Sequence, residues 1–184
     1  MVNKIILAVV GLPGAGKTEA VEYLIKKTSW PKVYLGDATF EEMKNQCLEV
    51  NEANERKIRE EIRKKLGMSA YAILNLPKVR ELAQTSNVLI ESLYSWEEYL
   101  EFKKEFGDSF KVLAIYSSPD KRIERLENRP CRPLKKEDVI SRDYSQIENT
   151  HQAGPIARSD FTIINEEEKE NLYSEIDRII LGLK

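Results

Sequence analysis

Gly11-Leu12-Pro13-Gly14-Ala15-Gly16-Lys17-Thr18 decides how this chain folds. The octet satisfies G-x-x-x-x-G-K-[ST], the phosphate-binding loop of nucleoside triphosphate enzymes. Its flanks agree. Residues 5–10 (IILAVV) form an unbroken apolar run rich in β-branched side chains, as expected of a strand buried on both faces. Residues 19–27 (EAVEYLIKK) predict a helix. Glycines between strand and helix let backbone N–H groups turn inward onto an anion, and the helix N-terminus adds partial positive charge. Lys17 is expected to reach the β- and γ-phosphates of ATP, and the Thr18 hydroxyl to ligate Mg²⁺. All eight residues are candidate nucleotide contacts.

Outward from this loop, strands and helices alternate. Further strands are expected at 32–35, 87–92, 111–116 and 161–164. Thr39-Phe40-Glu41-Glu42 has capping-box form and predicts a helix reaching about Val50. Residues 52–65 carry acid-first i, i+4 pairs (Glu52–Arg56, Glu55–Arg59, Glu60–Lys64, Glu61–Lys65), with Ile58, Ile62 and Leu66 as the only apolar stripe. That pattern predicts a surface helix with one narrow buried edge. The next helical stretch, 69–85, is expected to kink or restart at Pro77. Ser95-Trp96-Glu97-Glu98 is a second capping box, and Ser118-Pro119 starts another helix. A final amphipathic helix carries Leu172, Ile176, Ile179, Ile180 and Leu183 on one face. The alternation predicts an α/β fold, a five-stranded parallel sheet with helices on both faces.

In such sheets ligands sit beyond the C-terminal ends of the strands, so the residues there are the ones to inspect. Asp37 follows the second strand and Glu91 ends the third. Both are candidates to hold Mg²⁺ directly or through water, and Asp37 is also a candidate general base. Helix capping is the bland alternative for each acid, and for Glu91 a solvated strand end is another. A second constellation is basic: Arg122, Arg125, Arg129, Arg132 and Arg142 fall within one short stretch. Guanidinium groups suit the charge that spreads over a phosphoryl group in transfer. Arg122, Arg129 and Arg142 are the catalytic candidates among them, with Arg129 also a nucleotide contact.

The chain has 184 residues, 41% hydrophobic and 33% charged, with a net charge of −2. One domain with a sizeable core is expected, in the cytoplasm, with neither nucleic acid nor membrane as partner. Cys47 and Cys131 are too few for a disulfide framework and lack zinc spacing. His151 is the only histidine, so neither a metal cluster nor a Ser-His-acid triad is expected. The sole Asn-Lys, Asn3-Lys4, precedes the first strand and lacks the Asp of a guanine-specific signature.

Taken in order, the phosphate loop, Leu35-Gly36-Asp37, Val88-Leu89-Ile90-Glu91, the 119–129 helix, Arg142-Asp143 and Ile163-Ile164-Asn165 resemble the adenylate-kinase-like nucleotide kinases. The resemblance covers nearly the whole chain. It is strongest to an uncharacterised, largely archaeal branch sometimes labelled as related to dephospho-CoA kinase. It implies an acceptor-binding helical segment at about 38–85, an arginine-bearing lid at about 129–142, and an approach of Asn165 to adenine. The branch has arginines where this chain has Phe40 and Tyr94. The expected activity is transfer of the γ-phosphoryl of ATP-Mg²⁺ to a nucleotide or nucleotide-like small molecule, by a monomer or weak homodimer. The alternative is a nucleotide-binding or regulatory ATPase without an efficient acceptor.

Overall fold

The computed structural model describes residues 4–130 and 133–183; Cys131 and Arg132 lie outside them. The described strands are β1 (Ile6–Val10), β2 (Lys32–Tyr34), β3 (Val88–Glu91), β4 (Phe110–Tyr116) and β5 (Phe161–Ile164). They form one sheet in the order β2-β3-β1-β4-β5, every neighbouring pair parallel. The phosphate-loop strand is therefore central, and all five residues of β1 are buried.

Alternation along the strands divides the core into two layers. Ile6, Ala8, Val10, Val88, Ile90 and Val112 face a layer that includes Tyr99 and Phe102 of α5 (Trp96–Phe106) and Leu76 and Val79 of α4 (Ala70–Ala83). Leu7, Val9, Leu89, Leu113 and Ile163 face Ala20, Val21 and Leu24 of α1 (Lys17–Thr28). Leu172, Ile176 and Ile180 of α9 (Lys169–Gly182) complete that second layer, on the stripe its sequence predicts. None of the described helices is long and apolar enough to cross a membrane.

Several local signals act as their chemistry requires. Ser95 Oγ accepts from Glu98 N, and Glu98 Oε2 accepts from Ser95 N, closing the capping box of α5. Ser118 caps α6 (Pro119–Glu127) with Pro119 at its first turn.

Three expectations fail. α2 runs Asp37–Asn45, so Thr39 lies inside the helix rather than capping it. Its hydroxyl is paired with Tyr71 Oη at 2.7 Å, a tertiary partner that the local pattern does not reveal. Val50, expected on the apolar face of that helix, is 70% exposed and beyond its end. α4 also continues through Pro77 without a break. One ladder bond is missing there, but Asn75 ties the preceding turn down by donating to Leu35 O and Tyr71 O, while Leu76 and Val79 are buried. Tertiary packing outweighs the local penalty.

α3 spans Glu52–Leu66, capped by Asn51, whose side chain accepts from Asn54 N at 2.9 Å. Ile58 and Ile62 are its buried edge. Of its expected ion pairs, Arg59–Glu55 forms at 3.1 Å, while Arg56 and Lys57 turn to Glu60 and Glu61. The stretch expected as a lid continues into α7 (Lys136–Glu148), followed by the short α8 (Ala153–Ala157).

Candidate active site

The glycine loop is shaped by what presses on it. Gly11, Gly14 and Gly16 all have positive φ, at 146°, 81° and 103°. A Cβ on Gly16 would lie 2.3 Å from the Asn165 amide, and one on Gly11 2.3 Å from Ile115 O. Both the backbone conformation and the space therefore demand glycine. Gly16 is the N-cap of α1 and no side chain caps that helix. Its first N–H groups thus remain a cradle for an anion. Thr18 is exposed on the first turn.

Lys17 donates to Leu12 O of its own loop at 3.0 Å. Burial and the neighbouring Arg122 lower its pKa to about 8, against the opposing pull of Glu91 and Asp143. Glu91 therefore stands within electrostatic reach of Lys17, at the tip of the strand beside β1. Its carboxylate also pairs with Lys32 at 2.7 Å, so it is neither a helix cap nor a merely solvated acid.

Arg122 is 3% exposed and braces the loop from behind. Its Nη1 donates to Pro13 O, its Nε to Ser117 O, and both Nη groups to Asp143. It is a positioning residue in this arrangement rather than a phosphate contact. Asn165, expected to approach adenine, instead donates to Ala15 O at 2.8 Å from the wall against Gly16. Its side-chain amide is committed to the loop backbone. Arg125 donates to Ser117 Oγ. Arg129 lies just past the Asn128 end of α6 and is half-buried. Gln152, absent from the sequence-based candidates, is fully buried and donates to Gly11 O at 3.1 Å.

Asp37 occupies the first turn of α2, after the N-cap Gly36, and no side-chain bond caps that helix. Capping therefore does not account for it. It pairs loosely with Lys78 at 3.9 Å and is nearly half exposed.

A cavity of about 380 Å³ opens beside this group. Tyr34, Gly36, Ser92 and Tyr94 from the ends of β2 and β3 line it, with Thr39 and Phe40 from α2 and Tyr71 from α4. Arg59 and Arg63 of α3 face it, as do Arg142 and Gln146 of α7. Gly36 admits the Tyr34 ring, which a Cβ would meet at 2.5 Å. Glu98 also lines the cavity, and burial pushes its carboxyl up to about 7 despite two backbone N–H bonds. The Arg63 guanidinium lies 5.6 Å from the centre of the Tyr71 ring. Arg59 and Arg63 of α3 thus bring positive charge to the wall that also holds Phe40 and Tyr94. The i, i+4 charge pattern of α3 reads as a solvated face. The signal that could have revealed it is that Arg59 and Arg63 each directly follow a buried isoleucine.

A family model described as an AAA domain matches residues 10–141. A UPF0200 protein of Pyrococcus furiosus is 35% identical over 95% of this chain and 95% of its own length. The chain belongs to the UPF0200 family. The expected archaeal branch is thereby found. Among solved structures, a shikimate kinase from Bacteroides thetaiotaomicron aligns with a TM-score of 0.60 at 18% identity, covering 97% of this chain and 98% of that one. A gluconokinase from Sinorhizobium meliloti aligns at 0.56 and 12%, covering 98% and 95%. These likenesses establish the fold of P-loop kinases for this UPF0200 protein: a parallel five-stranded sheet with a glycine loop at its centre.

Proposed function

We propose that this UPF0200 protein transfers the γ-phosphoryl group of ATP-Mg²⁺ to a nucleotide or nucleotide-like small molecule. The observation that carries this reading is one juxtaposition. An uncapped glycine loop with Lys17 sits beside Glu91, and the walled cavity begins at the next residue, Ser92. A donor site and an acceptor site adjoin at the C-terminal ends of the strands.

The donor set fits the cofactor. Mg²⁺ keeps several waters and takes phosphate oxygens, so one or two protein oxygens suffice. Thr18 and Glu91 would hold it, and when bound it neutralises charge on the transferring group. Lys17 leaves Leu12 O to meet the β- and γ-phosphates. Arg122 and Asn165 keep the loop in register. Arg129 and Arg142 are assigned to charge stabilisation during transfer, Arg142 from the acceptor side. Asp37 is the general base for a hydroxyl acceptor or, with a phosphate acceptor, a partner of metal-bound water. Kinases acting on small molecules share the fold, which supports the class without supplying the acceptor.

ADP formation followed across a panel of nucleotides, nucleosides and phosphorylated or carboxylated polyols tests this directly. Turnover that rises at least tenfold with one acceptor is expected. Slow ATP hydrolysis indifferent to every acceptor would favour a regulatory ATPase.

A further inference from the structure

Two residues that line the cavity between α3 and α7 each carry a buried polar atom without a hydrogen-bond partner among the described residues, Arg63 Nε and Gln146 Oε1. Their chemistry is opposite and specific. A guanidinium N–H only donates, and does so most strongly to an anion; an amide oxygen only accepts. The two residues sit on different walls, one on α3 and one on α7. Arg142 on α7 and Arg59 on α3 add positive charge, Arg59 already paired with Glu55 at 3.1 Å, and the carboxyl groups of Glu55 and Glu98 line the same cavity. Tyr71 holds the Arg63 guanidinium from one side, and its own hydroxyl is fixed by Thr39.

We propose that this cavity is a recognition site for an anionic, hydroxylated small molecule. Its phosphate monoester or carboxylate is bound by Arg63 with Arg59 in support, and its O–H or N–H groups are read by Gln146. The site rests on the phosphotransferase reading only for calling this molecule the acceptor. As an anion-binding site it stands on the cavity alone. A neutral analogue leaves Arg63 Nε buried and unpaired, so discrimination against it is strong.

Calorimetry on the full chain, with Mg²⁺ and a non-hydrolysable ATP analogue present, tests it. The probes are AMP against adenosine, glucose 6-phosphate against glucose, and gluconate. At least one charged probe should bind about ten- to a hundred-fold more tightly than its neutral counterpart. The comparison of glucose 6-phosphate with gluconate separates phosphate from carboxylate. Arg63→Met should erase the margin while leaving the affinity for the ATP analogue unchanged. Arg63→Lys, which keeps the charge and is the safer variant for folding, should retain part of it. Three results would overturn the proposal: neutral probes matching charged ones, wild-type binding in both variants, or no charged probe binding at millimolar concentration. Charged-probe binding, with no ADP formed across the acceptor panel when ATP replaces the analogue, would leave this site standing and remove the phosphotransfer reading. ADP formation on neutral acceptors alone would do the reverse.

Discussion

Asp143 on α7 grips Arg122 on α6 through two hydrogen bonds, at 2.8 and 2.6 Å, and so fastens α7 to the back of the phosphate loop. The preceding residue, Arg142, lines the cavity beside α3. One helix thus touches both halves of the site, and its two adjacent charges serve different sides.

Asp143→Ala leaves a guanidinium with 4% of its side chain exposed without its carboxylate. Loss of one partner of a buried pair costs about 3–5 kcal/mol. A fall in stability of that order is expected in urea denaturation. Arg122→Met combined with Asp143→Leu should recover much of it, because the desolvation penalty is then removed with the pair. Equal stability of Asp143→Ala and wild type would show that the pair braces nothing.

ATP affinity should depend on pH through Lys17. Its lowered pKa of about 8 means the free protein carries the charge below pH 8 and loses it above. Phosphates favour the charged form. Affinity should be level below pH 7 and fall by up to about tenfold per pH unit above 8. Titration calorimetry in buffers of different ionisation enthalpy should show proton uptake on binding at pH 8.5. Release of protons there would contradict the assignment.

Glu98 gives the opposite kind of signature, in stability. Its folded pKa, about 7, lies above the ordinary carboxylate value of 4.5. The native state therefore binds more protons than the unfolded chain between these values, and stability falls as pH rises from about 4.5 to 7. The contribution is on the order of a few kcal/mol. Glu98→Gln keeps an oxygen for the Tyr94 and Ser95 N–H groups and should flatten that part of the pH–stability curve. An unchanged slope in Glu98→Gln would place the titration elsewhere.

Asp37→Asn preserves shape and removes charge. With helix capping excluded by the Gly36 N-cap, little change in melting temperature is expected. Turnover with a hydroxyl acceptor should fall by about 10²–10⁴, the range of a lost general base, with ATP binding retained. Full activity would leave Asp37 as a surface partner of Lys78.

The glycine loop, the central strand β1 and the capping box of α5 were legible because each rests on local chemistry: positive φ, two-sided burial, a reciprocal cap. What escaped depends on contacts distant in sequence. Thr39 looks like a cap until Tyr71 arrives from 32 residues away. Asn165 looks like a base contact until its amide is seen against Gly16. Gln152 carries no pattern at all, yet it holds Gly11. The arginine wall of the cavity was the least legible, because Arg59 and Arg63 are indistinguishable by i, i+4 spacing from solvated helix charges. Only the docking of Ile58 and Ile62 turns them inward.

Titration of ATP-Mg²⁺ into wild-type protein and Lys17→Ala is the most direct measurement of the central claim. No other described residue places a positive charge in the loop itself, so wild-type protein should bind with a Kd in the micromolar range, and Lys17→Ala should lose binding by at least about a hundredfold. Equal affinity in the two proteins, or no binding by wild type at millimolar ATP, would contradict the assignment of this loop as the nucleotide site.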